Sequence, residues 1–197
     1  LWTFLMPFSR FFGHYSGQIY KIEADLAAEL PVDLQAGPSD EEALRSLFAH
    51  VVARMYDREL FSILCNALSC CAFTFVMYSQ DGMGEQLDRD DLLVRTLAQY
   101  GLQTTRTELT WFAQAFWAQS IQFKAEHGWR PPSAEDLPAR VYEALAVALG
   151  EPPEVLRRWM AWLIEAWIEM ARAKLARFGY DPSWLDARIL VSWTEES

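Results

Sequence analysis

Leu44, Leu47, Phe48, Val51, Val52 and Met55 recur at steps of three and four residues, and this helical period narrows the possible folds more than any other feature of the chain. The period returns in segment after segment, while the strict apolar and polar alternation of a half-buried strand appears nowhere. The segments also carry the chemistry of helix ends. Ser39 with Glu42 three residues later forms a capping box ahead of the first stripe, in which a hydroxyl and a carboxylate satisfy backbone N–H groups left open by the first turn. The stripe itself predicts a helix of about four turns.

A second helix is expected over most of Leu60 to Tyr78, because no residue from Leu60 to Gln80 is charged and such a helix is buried nearly all round. Gly82 and Gly84 end it. Asp88 or Asp90 caps a short helix that stops at Gly101, a residue type suited to the left-handed conformation at a helix C-terminus. Thr105 and Glu108 repeat the capping box and open a helix expected to turn Leu109, Phe112, Phe116, Trp117 and Phe123 toward the core before closing at Gly128. Ser133 caps a helix through Leu149, in which Pro138 is tolerable only in the first turn or so. Pro152 and Pro153 start the longest helix, with Val155, Trp159, Leu163, Ala166 and Met170 facing inward and Arg157, Glu165, Glu169 and Arg172 outward, until Gly179 and Pro182 stop it. The expected fold class is therefore all-α. A single domain over residues 1–197 with irregular orthogonal multi-helix packing is preferred to a four-helix bundle, because the helix lengths differ widely.

Composition sets the partners. The chain has 197 residues, 52% of them hydrophobic, with nine Trp and twelve Phe, enough to bury a sizeable core and to leave some apolar surface for an interface. The net charge is −10 and no run of Lys or Arg lies beside aromatics, which argues against nucleic acid as a partner. Three cysteines, with Cys70 and Cys71 adjacent, make no disulfide framework and suit a reducing compartment, so a cytoplasmic location is expected. The opening stretch from Leu1 to Phe12 has neither the charged start nor the cleavage site of a signal peptide, and the chain is expected to be part of something longer. Ser62, Asn66, Ser69, Thr74 and Ser79 interrupt the uncharged run, which argues against a membrane span.

Few residues offer chemistry. His14, His50 and His127 are scattered without metal-ligand spacing, and His50, beside the first apolar stripe, reads as a partly buried structural side chain. There is no nucleophile elbow, phosphate loop or dinucleotide fingerprint, so hydrolase, kinase and Rossmann readings have no support. Acidic pairs such as Asp40 and Glu41 or Asp90 and Asp91 lie at helix starts, where the macrodipole favours negative charge. The informative place is the uncharged helix. At about 100° per residue Ser62, Asn66 and Ser69 share one face, and a polar stripe there must bond to a loop, water or a ligand, or locally to backbone carbonyls with the cysteines filling space.

Asn66, Ser69, Cys70, Cys71 and Phe73 resemble the Asp-x-x-Gly-Leu-Cys motif, followed two residues on by Phe, in the carboxy-terminal domain of the tungsten-dependent aldehyde ferredoxin oxidoreductase family. A second run matches in order: Leu97 to Gly101, Glu108 with Leu109, Phe123 and Gly128, then Glu135, Leu137, Pro138 and Arg140, and finally Phe178 with Gly179. The resemblance covers roughly Glu41 to Trp184. It implies that Asn66, Ser69 and Cys70 contact a pterin of a tungsten (or molybdenum) bis-pterin cofactor, and that Cys71 ligates a [4Fe-4S] cluster. Three cysteines of that cluster belong to an earlier domain, so the implied partners are that missing part or a separately encoded subunit, and ferredoxin as electron acceptor. The chain departs from the family with Asn for Asp, Ser for Gly and Cys for Leu in the motif, and with Ala115, Ile121 and Lys124 where Arg, Arg and Asn are usual.

A [4Fe-4S] cluster needs four thiolates. Cys65, Cys70 and Cys71 cannot supply a set among themselves, since steps of five and six residues turn them by about 140° and 240° around a helix. The expected function is thus one part of an aldehyde-oxidising enzyme that is inactive alone. The rival is a cofactor-free acidic helical interaction module that keeps the fold and presents its Trp and Phe to a partner. A third reading is a membrane-associated helical protein.

Overall fold

The computed structural model describes residues 41–68 and 89–185. Five α-helices are formed among them: α1 (Glu41–Ala67), α2 (Arg89–Gln99), α3 (Arg106–Glu126), α4 (Ala139–Leu149) and α5 (Pro153–Arg177), with short 3-10 turns at Ala134–Asp136 and Ser183–Leu185. No strand occurs among the described residues, and the fold is all-α as the periodicity predicts. Ser39 and residues 69–88, with the end of the uncharged helix and its two glycines, lie outside the described residues.

One boundary differs from expectation. The first expected helix and the described start of the second, Leu60 to Ala67, form a single 27-residue helix, α1, which runs through Asp57, Arg58 and Glu59 without a break. Three adjacent charges resemble a loop, yet none of them stops a helix, and no Gly or Pro occurs between Glu41 and Ala67. The apolar stripe simply continues, with Leu44, Leu47, Phe48, Val51, Val52, Met55, Leu60 and Leu64 all buried. The far end of α1 is not buried all round, since Asn66 and Ala67 are exposed.

The glycine signals hold at Gly101, Gly128 and Gly179, and their mechanism is explicit at the first two. Gly101 has φ 81°, its N–H donates to Ala98 O, and the N–H of Leu102 donates to Leu97 O. Gly128 has φ 87°, with its own N–H bonded to Ala125 O and that of Trp129 to Lys124 O. Both are paired C-terminal bonds that satisfy carbonyls orphaned by the end of a helix and need a left-handed residue.

The helix expected from Ser133 is divided by Pro138. A residue before proline is pushed out of the α region, and Leu137 is extended at φ −77° and ψ 130°. Ser133 therefore opens only the 3-10 turn, its N–H donating to the Asp136 carboxylate at 2.7 Å, and Pro138 becomes the N-cap of α4. α4 and the turn both pack on α5. Tyr142 of α4 is fully buried, donates its hydroxyl to Ala134 O at 2.6 Å, and lies under the Arg157 guanidinium at 5.1 Å. Arg157 in turn pairs with Glu135 at 2.8 Å.

Burial pushes the Tyr142 phenol up to about 12, the Arg157 cation acting against that and Glu135 with it. A raised folded pKa means that the stabilisation is complete below the ordinary tyrosine value near 10 and is lost as pH rises through about 12. In an alkaline absorbance titration, one phenol absent from Tyr142→Phe should ionise only above the normal tyrosine range; a loss of signal within that range would contradict it.

The described residues form two compact units: 41–56 with 124–185, and 57–68 with 89–123. In the first, α5 buries Leu156, Met160, Leu163, Trp167, Ala171 and Leu175. This face is turned slightly from the expected one, and Val155, Trp159, Ala166 and Met170 are half-buried flanks. Almost every position of α5 apart from its charged residues is apolar, so several overlapping frames of threes and fours fit the sequence equally well. Glu165 and Glu169 face out as expected, whereas Arg157 and Arg172 are half-buried. Arg45 of α1 meets Glu165 at 3.6 Å and lies 4.4 Å over the Trp162 ring. In the second unit Leu60, Leu64, Cys65, Leu93, Leu97, Ala113, Trp117 and Ile121 are buried.

Candidate functional site

Of the residues singled out as a candidate site by the sequence, Asn66 is described, at the C-terminal end of α1. Asn66 lies in the last turn of the helix and is exposed, while Cys65 beside it is fully buried. A rotation of about 100° between neighbours is enough to send one side chain inward and the next out. Ser62, one turn before Asn66, is half-buried. Of the expected polar stripe, Asn66 is therefore exposed rather than buried. Ser69, Cys70 and Cys71, with Phe73, lie outside the described residues.

The second run of matching residues is described in full, and each member occupies a position with its own local physics. Leu97 is buried and supplies the carbonyl that closes α2. Glu108 is the third residue of α3: the Thr105 N–H donates to its carboxylate at 2.8 Å and the Glu108 N–H donates to the Thr105 hydroxyl at 3.2 Å. Leu109 is half-buried, Phe123 exposed and Gly128 left-handed. Leu137 is buried, Pro138 caps α4 and Arg140 is exposed in its first turn. Of the three departures, Ile121 is buried, Ala115 half-buried and Lys124 exposed, with its ammonium 6.0 Å from the centre of the Trp129 ring.

The backbone N–H of Thr105 and its hydroxyl hold the Glu108 carboxyl below the usual glutamate range. A depressed folded pKa gives stabilisation present above the unfolded value and lost as pH falls through the folded one. The stability difference between the natural chain and Glu108→Ala should therefore be largest above the ordinary glutamate pKa and shrink as acid protonates the cap. A difference independent of pH in denaturant unfolding would show that the carboxylate is not the capping group.

Sequence reasoning missed the outer surface of α3. Phe112, Phe116 and Phe123 are 43%, 48% and 59% exposed, and Trp111 is 59% exposed, where three of the four were expected in the core. The buried face runs instead through Ala113, Trp117, Ala118, Ile121 and Ala125. The signal was present: α3 carries apolar residues at Leu109, Phe112, Phe116 and Phe123 and again at Ala113, Trp117 and Ile121, two stripes where a surface helix has one. Small alanines on one of them hide its weight beside the phenylalanines.

His50 is half-buried, as expected of a structural histidine, and His127 is exposed. Among the described residues no three His, Cys, Asp or Glu side chains come together in a group that could hold a metal ion. The chain also has three cysteines where a [4Fe-4S] cluster takes four thiolates, so its own residues do not fit that cluster as a complete site. No helix among the described residues is long and apolar enough to cross a membrane. No family model matches the chain, and no curated protein or solved structure matches it either.

Proposed function

We propose that this chain is a divergent carboxy-terminal helical domain of an oxidoreductase like the aldehyde ferredoxin oxidoreductases. It works in the cytoplasm and is inactive without the part that carries the other cluster cysteines. In such an enzyme the tungsten or molybdenum held by two pterins supplies the oxidation of aldehyde to carboxylic acid, and the [4Fe-4S] cluster passes electrons to ferredoxin. Toward that whole this chain would contribute Cys71 as one thiolate, with Asn66, Ser69 and Cys70 toward the pterin.

One observation carries the reading: the matching residues fall in order on successive helix boundaries. Gly101 closes α2, Glu108 caps α3, Gly128 closes it, Leu137 and Pro138 form the turn into α4, and Gly179 follows α5 with φ 79°. The exposure of Asn66 supports it further, because a side chain that meets a cofactor held by another part must face outward.

The test uses the chain together with the polypeptide that carries a Cys-x-x-Cys-x-x-x-Cys run. The purified pair should contain iron and either tungsten or molybdenum. Cys71→Ala should remove the cluster absorbance and Cys65→Ala should leave it, apart from any loss of folded protein measured by circular dichroism. Equal cluster content in the Cys71→Ala pair and the natural pair would end the carried-over ligand role.

A second reading, the acidic interaction module without cofactor, is favoured by the exposed rings of Phe112, Phe116 and Phe123 on one side of α3, since exposed apolar surface of this kind marks contact sites. It expects a pair free of both metals whose association fails on Phe112→Lys combined with Phe116→Lys, with helix content unchanged. A metal-loaded pair insensitive to those substitutions would reject it.

A further inference from the structure

We draw no further inference here: the strongest candidate, the exposed apolar face of α3 formed by Phe112, Phe116 and Phe123, belongs to the second reading already given, and nothing in the structure shows what covers it.

Discussion

Trp117→Ala should destabilise the protein by about 3–5 kcal/mol, whereas Phe116→Ala, one residue earlier on the same helix, should cost about 1 kcal/mol or less. Trp117 is fully buried, and its indole N–H donates to the Glu59 carboxylate at 3.0 Å. Truncation removes a large apolar surface, leaves a cavity and takes one hydrogen bond from the half-buried Glu59 carboxylate, three losses of the same sign. Phe116 is half-exposed and tilted against Phe112 with ring centres 6.3 Å apart, so its removal returns little surface to water. Trp117→Phe keeps a smaller aromatic ring while removing the donor and part of the indole, and should fall between the two at about 1–3 kcal/mol. Urea unfolding followed by circular dichroism measures all three. Equal costs at 116 and 117 would mean that the buried face of α3 has been assigned to the wrong side.

The second large effect is expected at Asp57→Pro, which should cost about 3 kcal/mol or more. Asp57 is exposed, so the substitution disturbs no packed side chain of its own. Proline there would remove the N–H that bonds one turn back and press its ring against the preceding turn. That penalty exists only if the chain is helical through Asp57, as it is in α1. Two helices joined by a turn at 57–59 would accept the substitution at a cost below about 1 kcal/mol, the size of a surface change. Asp57→Ala serves as the control for whatever the carboxylate itself contributes.

The helix starts and stops were legible because they rest on one or two residues with a local cause. Thr105 with Glu108, Gly101, Gly128, Pro153 and Gly179 act at or next to a helix end, with no need of distant partners. One start failed for a local reason, since Pro138 holds Leu137 extended and leaves Ser133 only a 3-10 turn; the other misses needed information from across the chain. Whether Phe116 or Trp117 points inward depends on which side of α3 is covered, and the larger count of phenylalanines misleads when the covered side is made of alanine around one tryptophan. The expected helices stop at Met55 and resume at Leu60, while the chain is helical through Asp57, Arg58 and Glu59. Glu59 is the acceptor of a buried indole 58 residues away, a pairing that no spacing rule encodes.

The candidate site was legible to a different degree. Cys65 is buried, whereas Asn66 is exposed where a helix buried nearly all round was expected. The resemblance-based roles of Ser69, Cys70 and Cys71 fall outside the described residues. Ile121, which the resemblance sets against an arginine, is buried, so this position serves packing. A hydrophobic replacement of that kind is readable from sequence only once the helix face is known.

The two units divide between residues 56 and 57 and between 123 and 124, and both divisions fall inside helices, α1 and α3. Domain borders ordinarily lie in exposed linkers, where a chain can be cut, permuted or extended at little cost. Here a cut at either border would expose up to four backbone carbonyls on one side and four N–H groups on the other. Neither unit is therefore a cassette that recombination could lift out intact. A gene split, a fusion joint or an affinity tag belongs elsewhere, in the short irregular stretch between α2 and α3 or at residues 150–152 between α4 and α5, where no regular helix is severed.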